Sequence, residues 1–420
     1  MDLVRILKVG CDSEARARPR WGSMSDATGP QIVAALARRA QVAGRAAGLD
    51  AVGVATAEPF EGARQALEQR RADGQHGGMQ FTFRNPARST DPRALLPSAR
   101  ALLAGARAYG GGGLPVPPAG APQGRVARYA RGDHYAALER GLEAAAGVLR
   151  DEGWRAVVVV DQNHMVDRAV AHRAGLGWYG VSSLLLLPGA GSWFVLGSVV
   201  TDAPLVASDP EPVPDGCGPC TRCQPACPTG AIVAPGVVDA RLCLAWLVHA
   251  PGVLRRDLRD ALGDRIYGCD ECQDVCPPNR VEVRRRDRAG AAESPASEVI
   301  GADEAWVDLL DLLAADDATL LDRHGRWYIA DRDPRWLRRN ALVALGNVAD
   351  RRDPRVMAAL VRALDGDDDL LAAHAAWAAR RLGCDDLLAD ATVVGPETAA
   401  ELAAPAPRVR ADPAQESRRR

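Results

Sequence analysis

The chain has 420 residues, 47% hydrophobic and 25% charged, with a formal net charge of −2. That length suggests two to four domains, and the near-neutral balance excludes neither nucleic acid nor small ligands, because a local basic patch binds phosphate whatever the total charge. Lys8 is the only lysine, the rest of the Lys+Arg total being arginine, so a pyridoxal Schiff base, a phosphate-loop lysine and a kinase lysine are excluded from the folded body. The opening stretch MDLVRILKVGCDSEARARPRWGS lacks an apolar core followed by a cleavage site and does not read as a secretory signal. Met24 offers an alternative start, and residues 1–28 stay unassigned.

Residues 29–215 mix helical periodicity, in PQIVAALARRAQVAGRAAGL and YAALERGLEAAAGVLRDEG, with the short buried-strand runs AVGVAT and RAVVVVD. They predict a single α+β or α/β domain, interrupted by the Gly/Pro-rich loop YGGGGLPVPPAGAPQG. Residues 174–201 carry no charge and are long enough to span a bilayer. Pro188 and the PGAGS turn break that run and predict a buried hairpin instead, so the protein is expected to be soluble and cytoplasmic, with no membrane partner. Residues 216–290 hold eight of the ten cysteines. Residues 297–390 contain LRRNALVALGNVAD and DPRVMAALVRALDGDDDLLAAHAAWAARRLG, amphipathic helices joined by Asp/Gly/Pro turns. They read as HEAT-like helical pairs or as a plain helical bundle. Residues 391–420, rich in Ala and Pro and ending ESRRR, are expected to be disordered.

Ten cysteines admit disulfides, zinc or iron–sulfur clusters. A chain without an export signal keeps its thiols reduced, and zinc is usually held by two separated C-x2-C knuckles. Cys217, Cys220, Cys223 and Cys227-Pro228 instead form C-x2-C-x2-C-x3-C-P, the bacterial ferredoxin run whose fourth cysteine serves the other cluster. Cys269, Cys272 and Cys276-Pro277 give the same pattern one ligand short, and Cys243 supplies the missing thiol. The crossing rule then predicts two [4Fe-4S] clusters, one on Cys217, Cys220, Cys223 and Cys276 and the other on Cys227, Cys243, Cys269 and Cys272. Cys11 and Cys384 are left as spare thiols. Clusters of this kind pass electrons singly at low potential, roughly −400 mV or below, so the chemistry they serve lies elsewhere in the chain.

In order along the chain stand GDHYAAL, VVDQNHMVDRAVAHRAGLGWYG, the two cysteine segments DGCGPCTRCQPACPTGAI and YGCDECQDVCPPNR, and then RRNALVALGN and HAAWAARRLG. This series resembles the epoxyqueuosine reductase family, cobalamin-dependent iron–sulfur enzymes acting on a modified guanosine in tRNA. The resemblance implies a cobalamin held base-off by the α/β part and reduced by a nearby cluster. It also implies two-electron loss of the epoxide oxygen as water, an external low-potential electron donor and a monomeric protein. Asp161 matches the family's aspartate and is the expected acid, since a carboxyl in a water-poor pocket stays protonated; the plainer expectation is that it caps the following helix. Gly177, Trp178 and Gly180 are expected to approach and pack against the corrin ring. His134, His164 and His172 are expected to be surface or hydrogen-bonding histidines rather than ligands.

The chain departs from the family where Val181 follows Gly180 in place of a lysine, where Ser89 replaces an arginine, and where Gln162 and Asn163 follow Asp161. These departures keep open a corrinoid iron–sulfur reductase of another oxidised substrate, of the reductive-dehalogenase kind. A non-catalytic ferredoxin-like carrier is a further alternative. Arg284, Arg285 and Arg286, with Arg335, Arg338 and Arg339, are candidate tRNA-backbone contacts; short arginine runs are equally the solvated faces of an arginine-rich chain.

Overall fold

The computed structural model describes residues 29–109, 114–206, 213–289, 305–389, 393 and 395–409. The first part runs α1 (Gly29–Ala46), β1 (Ala51–Thr56), α2 (Glu61–Ala72), α3 (Pro86–Ser89), β2 (Ala101–Ala108) and β3 (Gln123–Val126). It continues through α4 (His134–Asp151), β4 (Ala156–Val160), α5 (Asp167–Arg173), β5 (Trp178–Tyr179), β6 (Leu185–Leu186) and β7 (Phe194–Thr201). The main sheet has the order β1-β2-β7-β4 and is antiparallel at every pair, so of the two expected classes this part is α+β.

Side chains alternate across the sheet. Leu103 and Val199 face a core with Leu36, Leu138, Leu142 and Leu149 of α1 and α4, while Leu102 and Val200 face one with Ala169 and Val170 of α5. Gly105 and Gly197 are cross-strand partners, and a Cβ on either would stand within 3 Å of Leu142. The paired glycines form the hole into which α4 inserts that leucine.

The uncharged run of residues 174–201 is buried, but its two flanks part company. Leu187 and Gly191 bridge across the Pro188 turn; β6 pairs with β5, whereas β7 joins the main sheet. No helix among the described residues is long and apolar enough to cross a membrane.

The cysteine-rich part contains α6 (Cys223–Ala226), β8 (Ile232–Ala234), β9 (Val237–Val238), α7 (Leu244–Leu247), α8 (Arg259–Leu262), β10 (Arg265–Tyr267), α9 (Glu271–Asp274) and α10 (Pro277–Ala289). Each cysteine segment ends in a one-turn helix, and the two, α6 and α9, pack on each other. Asn279 accepts from the Ser192 amide at 2.6 Å and donates to the Ser192 hydroxyl, while Gln273 donates to the Ser192 carbonyl. These bonds clamp the second cysteine segment onto the hairpin turn.

The C-terminal part holds β11 (Trp306–Asp308), α11 (Leu309–Ala314), α12 (Asp317–His324), α13 (Arg335–Val348), α14 (Pro354–Leu364), α15 (Asp369–Leu382) and α16 (Pro396–Ala403). Asp308, Asp316, Asp353 and Asp368 cap α11, α12, α14 and α15 with their carboxylates, satisfying amides that a helix start leaves unpaired.

The three segments are joined: the sheet β10-β3-β11 takes one strand from each, and Val126, Leu244, Ile266, Leu309 and Leu342 share one core. The tail expected to be disordered from residue 391 contains α16, which packs on α15. Asp369 accepts from the Glu397 and Thr398 amides and from the Thr398 hydroxyl, so a partner distant in sequence, not local composition, fixes this helix. Residues 1–28, with Cys11 and Met24, and residues 410–420 lie outside the described residues.

Candidate functional site

The eight cluster-motif thiols are free and half-buried, and their mutual influence sorts them into two groups. Burial, with the fields of Cys217, Cys223 and Cys220, pushes the Cys276 thiol up to about 11. Burial also raises Cys223, with Cys217 and Cys220 adding to it. Cys272 is raised by burial and then by Cys269, Cys243 and Cys227. Cys269 is pushed to about 11 by burial, with Cys243 among its neighbours, and Cys243 is raised by burial and then by Cys227. No three His, Cys, Asp or Glu side chains among the described residues are arranged to hold a metal ion as they stand. As a donor set, two groups of four thiols fit two iron–sulfur clusters. Thiols crowded in this way resist ionisation until positive charge arrives, and iron provides it. Cys384 is buried in the C-terminal part, separate from both groups.

Asp161 follows β4 in a left-handed turn, φ +48°. That conformation is uncommon for a residue with a side chain, although aspartate tolerates it better than most. Its carboxyl is reached by solvent, yet enough protein surrounds it that desolvation raises its pKa. Asp161 does not cap α5: the cap position is Val166, and no side chain bonds there. Tyr135 on α4 and Tyr267 on β10 both lie in the field of Asp161. Behind Tyr267 stand Trp327, stacked at 4.4 Å, and His249 at 4.3 Å, with the Tyr129 hydroxyl 3.2 Å from His249 Nε2. This aromatic wall, with Tyr135 on α4, Tyr267 on β10 and the others in turns far apart in the chain, is not legible in the sequence.

The glycines of AGLGWYG serve the protein's own packing. A Cβ on Gly177 would meet the Leu186 carbonyl at 2.0 Å, and one on Gly180 would meet Leu186 Cδ1 at 2.4 Å and Cys217 Sγ at 3.5 Å. Trp178 is buried against Gly216. The neighbours of these three residues are β6 and the first cysteine segment. The exposed member of the segment is Tyr179, in the fields of Arg168 and Arg70 and 5.2 Å from the His172 ring. Arg168 donates to the Ser183 carbonyl at 2.6 Å and Arg70 to that of Gly236 at 2.9 Å. The Gly236 amide in turn donates to the Val181 carbonyl. Ser89 is 1% exposed and donates to the Thr82 carbonyl, so it holds a turn from within.

His134 lies beside Tyr109, and burial holds its pKa down at about 4. His164 Nδ1 is 3.2 Å from Arg88. Among the arginines, Arg339 is 1% exposed and donates to the carbonyls of Ala250 at 2.7 Å and Gly252 at 2.6 Å. Arg338 pairs with Asp317, and Arg335 with Asp333 and Asp368. Arg339 therefore ties the cysteine-rich part to α13 and is not a nucleic-acid contact. Arg284 is exposed and Arg285 pairs with Glu282; the side chain of Arg286 lies outside the described residues.

Residues 216–279 match the family model described as a 4Fe-4S double cluster binding domain. Fold and cysteine motif thus define a two-cluster iron–sulfur protein with an α+β N-terminal part. The epoxyqueuosine reductase of Xanthomonas campestris pv. campestris is 34% identical over 83% of this chain and 96% of the relative. That of Escherichia coli K12 is 35% identical over 72% and 78%. A solved epoxyqueuosine reductase with an epoxyqueuosine-modified tRNA-Tyr stem loop superposes with a TM-score of 0.75 at 28% identity, covering 88% of this chain and 97% of that one. The Bacillus subtilis enzyme, solved with its aspartate catalytic loop swung out of the active site, gives 0.71 at 27% over 83% and 90%. This chain belongs to the epoxyqueuosine reductase family.

Proposed function

We propose that this protein reduces epoxyqueuosine to queuosine in tRNA, a two-electron deoxygenation of an epoxide. The observation that carries the reading is the juxtaposition of the two parts: a Cβ on Gly180 would stand 3.5 Å from Cys217 Sγ, and the adjacent Tyr179 is exposed in the fields of Arg168 and Arg70. Family membership and the tRNA stem loop bound by a relative of 0.75 TM-score supply the substrate.

Cys217, Cys220, Cys223 and Cys276 would hold one [4Fe-4S] cluster, and Cys227, Cys243, Cys269 and Cys272 the other. When bound, the clusters supply single low-potential electrons and a cobalamin supplies a strong nucleophile and reductant for the epoxide carbon. The chain fits a corrinoid in one respect: Asp161, Gln162, Asn163, Arg168 and Tyr179 are polar side chains open to solvent. Asp161 gives its proton to the departing oxygen, and the surrounding protein keeps that carboxyl more basic than an open one. Tyr135 and Tyr267, both raised by burial, stay neutral beside it.

The tRNA backbone meets the chain through exposed arginines such as Arg284, and not through Arg335, Arg338 or Arg339, whose guanidiniums are already engaged. The antiparallel α13, α14 and α15 would be HEAT-like scaffolding. The protein would work as a cytoplasmic monomer fed by an external low-potential donor. The departure at Ser89 does not favour another substrate, because that residue is sealed inside its own turn.

The test is complementation of a host lacking its own epoxyqueuosine reductase. Queuosine is expected to replace epoxyqueuosine in its tRNA, and persistence of epoxyqueuosine despite a fully loaded protein overturns the reading.

A further inference from the structure

Tyr328, in the segment between α12 and α13, is 47% exposed, and a buried hydroxyl holds its main chain from both sides. The Tyr328 amide donates to the Tyr267 hydroxyl at 2.7 Å, and that hydroxyl donates to the Tyr328 carbonyl at 3.2 Å. Tyr267 stacks on Trp327 at 4.4 Å, and Trp327 donates to the Ala130 carbonyl at 3.0 Å. The exposed ring thus stands on a buried base drawn from all three parts of the chain. A lone surface ring needs no explanation; one whose position is fixed by a buried tyrosine does.

Two rings meet Tyr328 at a steep angle. Phe81, from the turn between α2 and α3, lies 6.4 Å away at 82°, and His249 lies 6.2 Å away at 77°. Neither of them stacks parallel on Tyr328. The chain then returns to α13 through Asp331 and Arg332, consecutive residues at φ +54° and +56°. Side chains rarely adopt that left-handed backbone, and it persists where the surrounding structure over-determines it, ligand clamps among such places.

What surrounds the ring points to its occupant. The exposed charges of residues 322–332 are Arg323, Arg326 and Arg332 against Asp322 and Asp331, a positive balance that suits a phosphate backbone. Tyr267, which fixes the ring, is also the residue in the field of Asp161, so one side chain links Tyr328 to the carboxyl assigned to the reaction. Proteins recognise unpaired RNA bases by splaying them out and stacking them on aromatic side chains, and the contact tolerates any base because each has a π-face.

We infer that Tyr328 is a stacking platform for an unpaired base of the tRNA loop beside the epoxide-bearing nucleoside, with Phe81 bracing the ring from the side. The inference rests on the tRNA reading above and deepens it. The ring supplies contact area, and the Tyr267 hydroxyl orders the Tyr328 backbone beforehand, so less ordering remains to be done on binding. Tyr328 holds the substrate without touching the reacting atoms. Its stacked base is held alike before and during the reaction, so losing the platform raises KM and leaves kcat in place.

The experiment uses the loaded enzyme and an epoxyqueuosine-modified tRNA-Tyr stem loop carrying a fluorescent purine analogue at each unpaired loop position in turn. It reads the dissociation constant, the fluorescence of the bound analogue and the kinetic constants. In the wild type, one position should be quenched by stacking. Tyr328→Ala and Tyr328→Leu should each weaken binding about ten-fold, abolish that quenching and raise KM by a similar factor at unchanged kcat. Tyr328→Phe and Tyr328→Trp keep a π-face and should stay within about two-fold of the wild type. The salt dependence of binding should have the same slope in all of them, because no phosphate contact is removed. Tyr328→Leu binding as tightly as the wild type overturns the platform, as does a loss in Tyr328→Phe equal to that in Tyr328→Ala. Should Tyr328→Ala fail to fold, Tyr328→Leu, which fills much of the same space, decides the matter. A wild type that binds no stem loop overturns the tRNA reading itself, whereas a wild type and a Tyr328→Leu variant that bind it equally well overturn the platform alone.

Discussion

Arg259 donates to Glu401 Oε2 at 2.9 Å, with 3% of one side chain and 4% of the other exposed. Arg256 reaches the second oxygen of the same carboxylate at 3.0 Å. This pair fastens α16 to the cysteine-rich part across 142 residues of sequence. Removing one member of a buried pair strands the other, at a cost of about 3–5 kcal/mol. Glu401→Ala should therefore lower the thermal midpoint sharply. Arg259→Ala combined with Glu401→Ala should lose clearly less than the two single losses added together. Additive losses would mean that the pair is not coupled.

The division of the cysteines makes a prediction that total iron content alone does not test. Cys276→Ser and Cys217→Ser should each keep about half the iron and share one electron paramagnetic resonance signature in the reduced protein. Cys227→Ser and Cys272→Ser should share a different signature. If Cys276→Ser instead matches Cys272→Ser, each cysteine segment holds its own cluster and the crossing is wrong.

Asp161→Asn keeps the shape of the side chain and removes the proton. It should bind cobalamin with an unchanged corrin spectrum and lose turnover by about a hundred-fold or more. Retained turnover in a loaded Asp161→Asn protein would transfer the acid role to another group.

The parts that were legible in the sequence are those whose chemistry is local. Cysteine spacing marked seven of the cluster thiols and the missing ligand pointed to Cys243, and the Asp-led turns between apolar periodicities marked α13, α14 and α15. What the sequence hid depends on partners far along the chain. Arg339 looks like one of a solvated run, yet it is buried because the carbonyls of Ala250 and Gly252 need a donor. The Ala/Pro-rich tail looks unstructured, yet Asp369 and Arg259 hold its helix. Gly177 and Gly180 stand where a Cβ would meet Leu186, a packing partner that no local pattern announces.

The last prediction concerns acid. Burial holds His249 at about 3 and His134 and His324 at about 4, and depresses His374 further below its ordinary value. Each is neutral in the folded protein and takes up a proton on unfolding anywhere between its folded pKa and its unfolded value of about 6.5. The unfolded chain thus binds more protons in that window, so stability is full above about 6.5 and is lost as pH falls towards 3. Asp167 works in the opposite sense: its folded pKa is raised, so its contribution is present at low pH and lost as pH rises through about 8. His249→Gln, which keeps a hydrogen-bonding group near the Tyr129 hydroxyl, should flatten the acid limb of a denaturant-midpoint titration by roughly one proton; an unchanged slope would show that His249 is already charged in the fold.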